Sequence, residues 1–121
     1  MQNFRRLGVW EKSHQLTLDI YRATADFPSD ETFGLRSQLR RAAASVPANI
    51  AEGCGRGTDG DFARFLQVAM GSATELEYHL ILAKDLRYIL EETHTLLTDK
   101  VIEVKKMLST LIKKLRPSDS H

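Results

Sequence analysis

The strongest constraint on the fold is the scarcity and placement of helix breakers. The chain has three prolines and seven glycines in 121 residues. The breakers that end segments are Pro28, the glycine-rich run from Gly53 to Gly60, and Pro117, which begins a polar stretch ending at His121. Between them lie long stretches rich in Leu, Ala, Arg, Glu and Lys, all residues at ease in a helix. No alternating Val/Ile/Thr run with a hairpin turn occurs, so strands are not expected.

Periodicity divides the chain into four amphipathic segments. In the first, Val9, Trp10, Leu16, Ile20, Tyr21 and Phe27 recur mostly at helical steps. Pro28 is expected to end it, because the residue before a proline avoids the helical region. In the second, Leu35, Leu39, Ala42, Val46 and Ile50 form one stripe, with Gly53 as the expected end. Pro47 lies inside that segment and removes a backbone donor, which predicts a kink near Ala43 to Pro47.

The third segment is the longest; over residues 61–86 a helix would span about 39 Å. Asp59 or Asp61 is the expected cap. Phe62, Leu66, Ala69, Ala73, Leu76, Leu80 and Ala83 make its core stripe. A second stripe lies beside it, formed by Phe65, Val68, Ser72, Glu75, His79 and Leu82. In the fourth, Leu97, Val101, Val104, Leu108, Leu111 and Leu115 alternate four and three apart, a pattern for left-handed packing.

Short links between four such segments predict an all-α, up-down-up-down left-handed four-helix bundle. The expected domain covers residues 1–116, followed by a polar flexible tail over 117–121. The second stripe of the third segment, with Met70 and Ile81 also off its core line, exceeds what one core needs. Surplus apolar surface of this kind marks self-association; a core wrapped more fully around its longest helix is the alternative.

Composition sets the class. At 42% hydrophobic and 27% charged residues the chain is not of the disordered type. No run of 18 apolar residues and no apolar stretch after Met1–Arg6 occurs, so neither a membrane span nor a secretory signal is expected. A single cysteine, Cys54, fits a reducing compartment, and a cytoplasmic location is expected.

The formal charge of +1 excludes a uniformly cationic nucleic-acid binder. That charge is nevertheless unevenly placed. Residues 35–56 carry four Arg and one Glu, residues 57–99 three basic and eight acidic groups, and residues 100–121 six basic and two acidic groups. Arg36, Arg40 and Arg41, with Lys105, Lys106, Lys113, Lys114 and Arg116, are the candidate phosphate contacts. The alternative is ordinary solvated faces with cations complementing helix C-termini.

Other motifs carry less. Gly55-Arg56-Gly57-Thr58-Asp59-Gly60 spells the letters of a dinucleotide fingerprint, but no strand precedes it and two aspartates stand where a phosphate would sit. Glu91-Glu92-Thr93-His94 holds one Glu-x-x-His, whereas di-iron bundles need two plus two further glutamates. It lies at the expected start of the fourth helix, with Thr93 as its cap. A metal site on Glu52, Glu75 and His79 has no second motif behind it, so no metal or cofactor is expected. Cys54 lies at a helix C-terminus, where partial negative charge disfavours a thiolate, and no catalytic residue is identified. Asn49, Glu52, Ser72 and Glu75 border the apolar stripes and are expected to form a structural polar network.

Several segments together carry a family resemblance: Leu7-Gly8-Val9-Trp10-Glu11-Lys12, Phe33-Gly34-Leu35 and Gln38-Leu39-Arg40-Arg41-Ala42-Ala43. So do Ser45-Val46-Pro47-Ala48-Asn49-Ile50-Ala51-Glu52-Gly53 and Gly71-Ser72-Ala73-Thr74-Glu75-Leu76-Glu77. Over roughly residues 4 to 115 the chain resembles the bacterial four-helix-bundle proteins encoded in intervening sequences of 23S ribosomal RNA genes. The resemblance implies a ring-like homopentamer without known catalytic activity. It extends to the accessory variability determinant of diversity-generating retroelements, a basic pentamer that binds nucleic acid and a reverse transcriptase. The expected function is a non-enzymatic, homo-oligomeric scaffold or adaptor whose partner is structured RNA or an RNA-handling protein. The alternative is a purely structural protein–protein interaction module.

Overall fold

The computed structural model describes residues 3–116 and contains four helices. These are α1 (Gly8–Ala23), α2 (Leu35–Cys54), α3 (Asp59–Asp85) and α4 (Glu91–Leu115), with single 3-10 turns at Phe4–Arg6 and Ser29–Glu31. No strand occurs among the described residues. The tail expected over 117–121 lies outside them.

Each helix packs on its neighbours in sequence, and α4 closes the bundle against α1. The core is drawn from all four elements, with Leu16, Ile20, Leu39, Val46, Ile50, Leu66, Leu76, Leu80, Val101, Val104 and Leu108 almost wholly buried. Every member of the expected core stripe of α3 is buried. Three of them (Ala69, Ala73, Ala83), and Ala63 beside the stripe, are alanines with no exposure, and such short side chains let neighbouring helices approach. On α4 the stripe drifts: Leu97, Val101, Val104 and Leu108 are buried, but the next buried position is Ile112, while Leu111 and Leu115 are half-buried. A straight helix turns about 20° per heptad away from a strict seven-residue repeat, which moves the seam by one residue near the end.

Helix ends differ from the sequence expectation in four places. α1 stops at Ala23, and Phe27 is buried from the following turn, its ring 5.2 Å from that of Tyr88. Thr58, not Asp59 or Asp61, caps α3, accepting from the Asp61 N–H at 3.1 Å; the two aspartates occupy its first turn and complement the positive end of the helix dipole. α4 begins at Glu91 after Leu90, which places Thr93 inside the helix. Gly53 lies within α2, which continues to Cys54. A Cβ there would stand 2.8 Å from Phe62 Cδ1 and 3.0 Å from Phe65 Cβ, so this glycine serves the close approach of α3 rather than a stop.

Pro47 is buried inside α2, and the helix continues through it. Having no N–H, it leaves the Ala43 carbonyl without its partner four residues on. The Thr17 hydroxyl of α1 donates to that carbonyl at 3.0 Å and is shared with the Ser13 carbonyl at 2.9 Å. A backbone vacancy in one helix is thereby filled by a side chain of another.

Thr17→Val, close in shape but without a donor, is expected to lower stability by about 1–3 kcal/mol through the unsatisfied Ala43 carbonyl. In a Pro47→Ala background the restored N–H occupies that carbonyl, and the same change costs less. Urea unfolding of the four proteins of this cycle checks the coupling; additive effects would contradict the account.

Candidate functional site

The arginines singled out from the sequence converge where α1 ends and α2 begins. Arg36 Nη2 donates to the Phe27 carbonyl at 2.8 Å. Arg40 donates through Nε to Thr24 Oγ1 at 2.9 Å and through Nη2 to the Tyr21 carbonyl at 3.1 Å, its guanidinium lying 4.5 Å from the Tyr21 ring centre. Thr24 Oγ1 in turn donates to the Ile20 carbonyl. These bonds satisfy the carbonyl end of α1 and its following turn, where cations also meet the negative end of the helix dipole. Arg41 is exposed and makes one long bond, from Nη2 to Ser37 Oγ at 3.3 Å. None of the three forms an ion pair with a carboxylate. Together with Tyr21, Thr32 and Ser37 they line a groove of about 350 Å³.

The cations of α4 lie elsewhere. Lys105 is paired with Glu77 of α3 at 2.9 Å. Lys106, Lys113 and Lys114 are exposed, and Lys106 and Lys114 border a groove shared with Leu7, Gly8 and Val9 of the α1 start. Arg116 donates to the Gly60 carbonyl beside the α3 start. Since Gly53 of α2 faces Phe62, Arg116 sits level with the end of α2, roughly 25 Å along the helix axis from Arg36. Arg36, Arg40 and Arg41 therefore lie toward one end of the bundle and Lys113, Lys114 and Arg116 toward the other, while Lys105 and Lys106 sit near the middle of α4.

The expected polar network is half formed. Ser72 and Asn49 meet through Ser45: the Ser45 and Ser72 hydroxyls are 2.8 Å apart, and Asn49 Nδ2 donates to the Ser45 carbonyl at 2.8 Å and hydroxyl at 3.0 Å. Tertiary packing alone sets Ser45 opposite Ser72 and so brings it into the network. Glu75 is exposed, and Glu52 pairs instead with Arg56 one turn on at 3.3 Å. Arg56 and Arg64 also lie over the Phe65 ring at 4.8 and 4.7 Å, covering part of the second α3 stripe.

The remaining candidates separate as well. His79 is buried whereas Glu52 and Glu75 are exposed, and no group of three or more His, Cys, Asp or Glu side chains able to hold a metal occurs among the described residues. His94 Nε2 lies 3.3 Å from Thr98 Oγ1 within α4. Gly55 and Gly57 belong to the turn between α2 and α3. Cys54 is buried, and burial pushes its thiol up from the ordinary range, away from a thiolate. Near the arginine groove, Glu31 accepts from the Leu35 N–H at 2.8 Å and from the Tyr88 hydroxyl at 3.0 Å. The bond to Glu31 raises the Tyr88 hydroxyl above its ordinary value, so that contribution holds below the usual phenol range and is lost as pH rises through the raised one.

The family model of 23S rRNA-intervening sequence proteins matches residues 5–110. A crystal structure of a protein of unknown function from the S23 ribosomal protein family, from Bacteroides thetaiotaomicron VPI-5482, is similar in fold at a TM-score of 0.80 and 28% identity. The match covers 87% of this chain and 95% of that one. No curated protein matches the chain. Among the described residues, no helix is long and apolar enough to cross a membrane.

Arg40→Met removes two bonds at the end of α1 and is expected to lower stability by about 1–2 kcal/mol. Arg41→Met, exposed and singly bonded, is expected to stay within about 0.5 kcal/mol. Urea midpoints measure both, and equal losses would show that Arg40 is not the anchor.

Proposed function

The chain belongs to the 23S rRNA-intervening sequence protein family, and from that premise we propose that it is a non-catalytic, self-associating scaffold. Its partner is structured RNA or an RNA-handling protein. The observation that carries self-association is the outer surface of α3. Val68, Tyr78 and Ile81 remain 48%, 58% and 42% exposed, with Leu82 half-buried on the same helix. Apolar residues repeated along one helix outside the core line favour burial against another copy. A ring-like homopentamer is the assembly proposed, built from left-handed bundles whose helices run up-down-up-down. Alternating direction is supported by Ser45 meeting Ser72 while Gly53 meets Phe62, and by Lys12 meeting Glu103 while Asp19 meets Lys100.

The absence of catalysis is supported by Cys54, whose burial opposes nucleophilic use. A cytoplasmic setting is supported by the same free thiol. Association with RNA is supported by the cations that carry no carboxylate partner, notably Arg41, Lys106, Lys113 and Lys114. The second reading, a protein–protein module without nucleic acid, draws support from the net charge of +1 and from the Lys105–Glu77 pair.

Light scattering at micromolar concentration is expected to give a multiple of the 13.7 kDa chain mass. The double variant Val68→Glu, Ile81→Glu is expected to return one chain mass with its helical circular dichroism kept. A wild-type monomer would overturn self-association. Titration with ribosomal RNA fragments is expected to show affinity falling steeply with salt; salt-independent or absent binding would leave the protein–protein module.

A further inference from the structure

Three guanidiniums share one groove with no carboxylate among its lining residues and no ion pair to any of them. The negative end of α1 supplies roughly half an elementary charge there, far short of three cations. Side chains that only capped α1 would not require Arg41, which takes no part in the capping and is exposed. The groove thus holds three cations in a fixed geometry, Arg36 and Arg40 bonded to carbonyls with donors still unused, while the neighbouring Glu31 carboxylate is taken by the Leu35 N–H and the Tyr88 hydroxyl.

Beside it stands the most exposed large apolar side chain of the described residues. Phe33 directly follows Thr32, a lining residue, and is 95% exposed. It contributes nothing to the core, and an exposed ring next to clustered arginines is the pairing that single-stranded nucleic acids require. Phosphates meet guanidiniums, and an unstacked base lies on an aromatic face.

We propose that the groove between the end of α1 and the start of α2 is a docking site for a single-stranded nucleic-acid segment. Arg41 contacts phosphate, Arg36 and Arg40 fix the charge around it, and Phe33 receives a base. This deepens the RNA reading above and rests on it. It also assigns the basic groups different tasks, since the groove lined by Lys106 and Lys114 has no aromatic side chain in its walls.

The test is fluorescence anisotropy with a labelled single-stranded 12-mer RNA and the duplex of the same sequence, on the full chain. Wild type is expected to prefer the single strand. Phe33→Ala is expected to weaken single-strand binding roughly 5- to 150-fold, from the usual worth of one stacked base, without changing the salt slope. Phe33→Trp is expected to restore it. Arg41→Gln is expected to weaken binding and reduce the slope of log affinity against log salt by about 0.7. Both positions are exposed, and circular dichroism controls for folding. If wild type binds neither RNA, the RNA reading fails and the site with it. If wild type binds but Phe33→Ala and Arg41→Gln bind equally well, the site alone is overturned. A change of oligomeric mass in Phe33→Ala with RNA affinity unchanged also overturns it, and gives Phe33 to a contact between copies.

Discussion

The bond from Thr17 to the Ala43 carbonyl sets the frame in which the rest of this bundle is arranged. A proline buried at position 47 would leave a desolvated acceptor inside α2, and an unsatisfied buried carbonyl costs about 1–3 kcal/mol. Filling it from α1 fixes how far α1 slides along α2. With Thr17 level with Ala43, the end of α1 falls beside Arg40 and the turn after it beside Arg36. The arginine groove is therefore a consequence of the same register. On the other side of α2, Gly53 lets Phe62 and Phe65 approach and sets the crossing with α3.

Charge follows from that arrangement more than from the amino-acid count. The net value of +1 averages a basic second segment, an acidic third and a basic fourth. In three dimensions part of the opposition cancels, as Lys105 meets Glu77 and Lys100 meets Asp19 at 2.6 Å. What does not cancel is split between two places. One group surrounds a groove with an exposed phenylalanine nearby; the other borders the start of α1. A symmetric assembly would repeat both around its axis, which multiplies a local field without altering the near-neutral total.

Much of the architecture was legible from spacing. The core stripe of α3 is buried at every position named for it, because one helical period decides which face is hidden. Ends were harder. Gly53 reads as a stop, but its missing Cβ serves interhelical contact, and a sequence does not distinguish those uses of glycine. Thr58 caps α3 where two aspartates competed for the role. The candidate site was legible in residue type but not in grouping. Arg36, Arg40 and Arg41 were recognisable as clustered cations; that two of them hold the end of α1 was not. Glu52 turned to Arg56 in the turn that follows its helix, while Ser45 joined the polar network through a partner 27 residues away.

The sequence by itself determined the class: four helices, their buried faces and the family to which the chain belongs. These depend on local periodicity and composition, which act within a few residues of each position. Only the tertiary structure decided which charges are neutralised, which helix supplies the hydroxyl for Ala43, and that Phe33 has nothing to pack against. Those outcomes depend on the rotation and register of one helix against another, set by contacts between residues far apart in the chain.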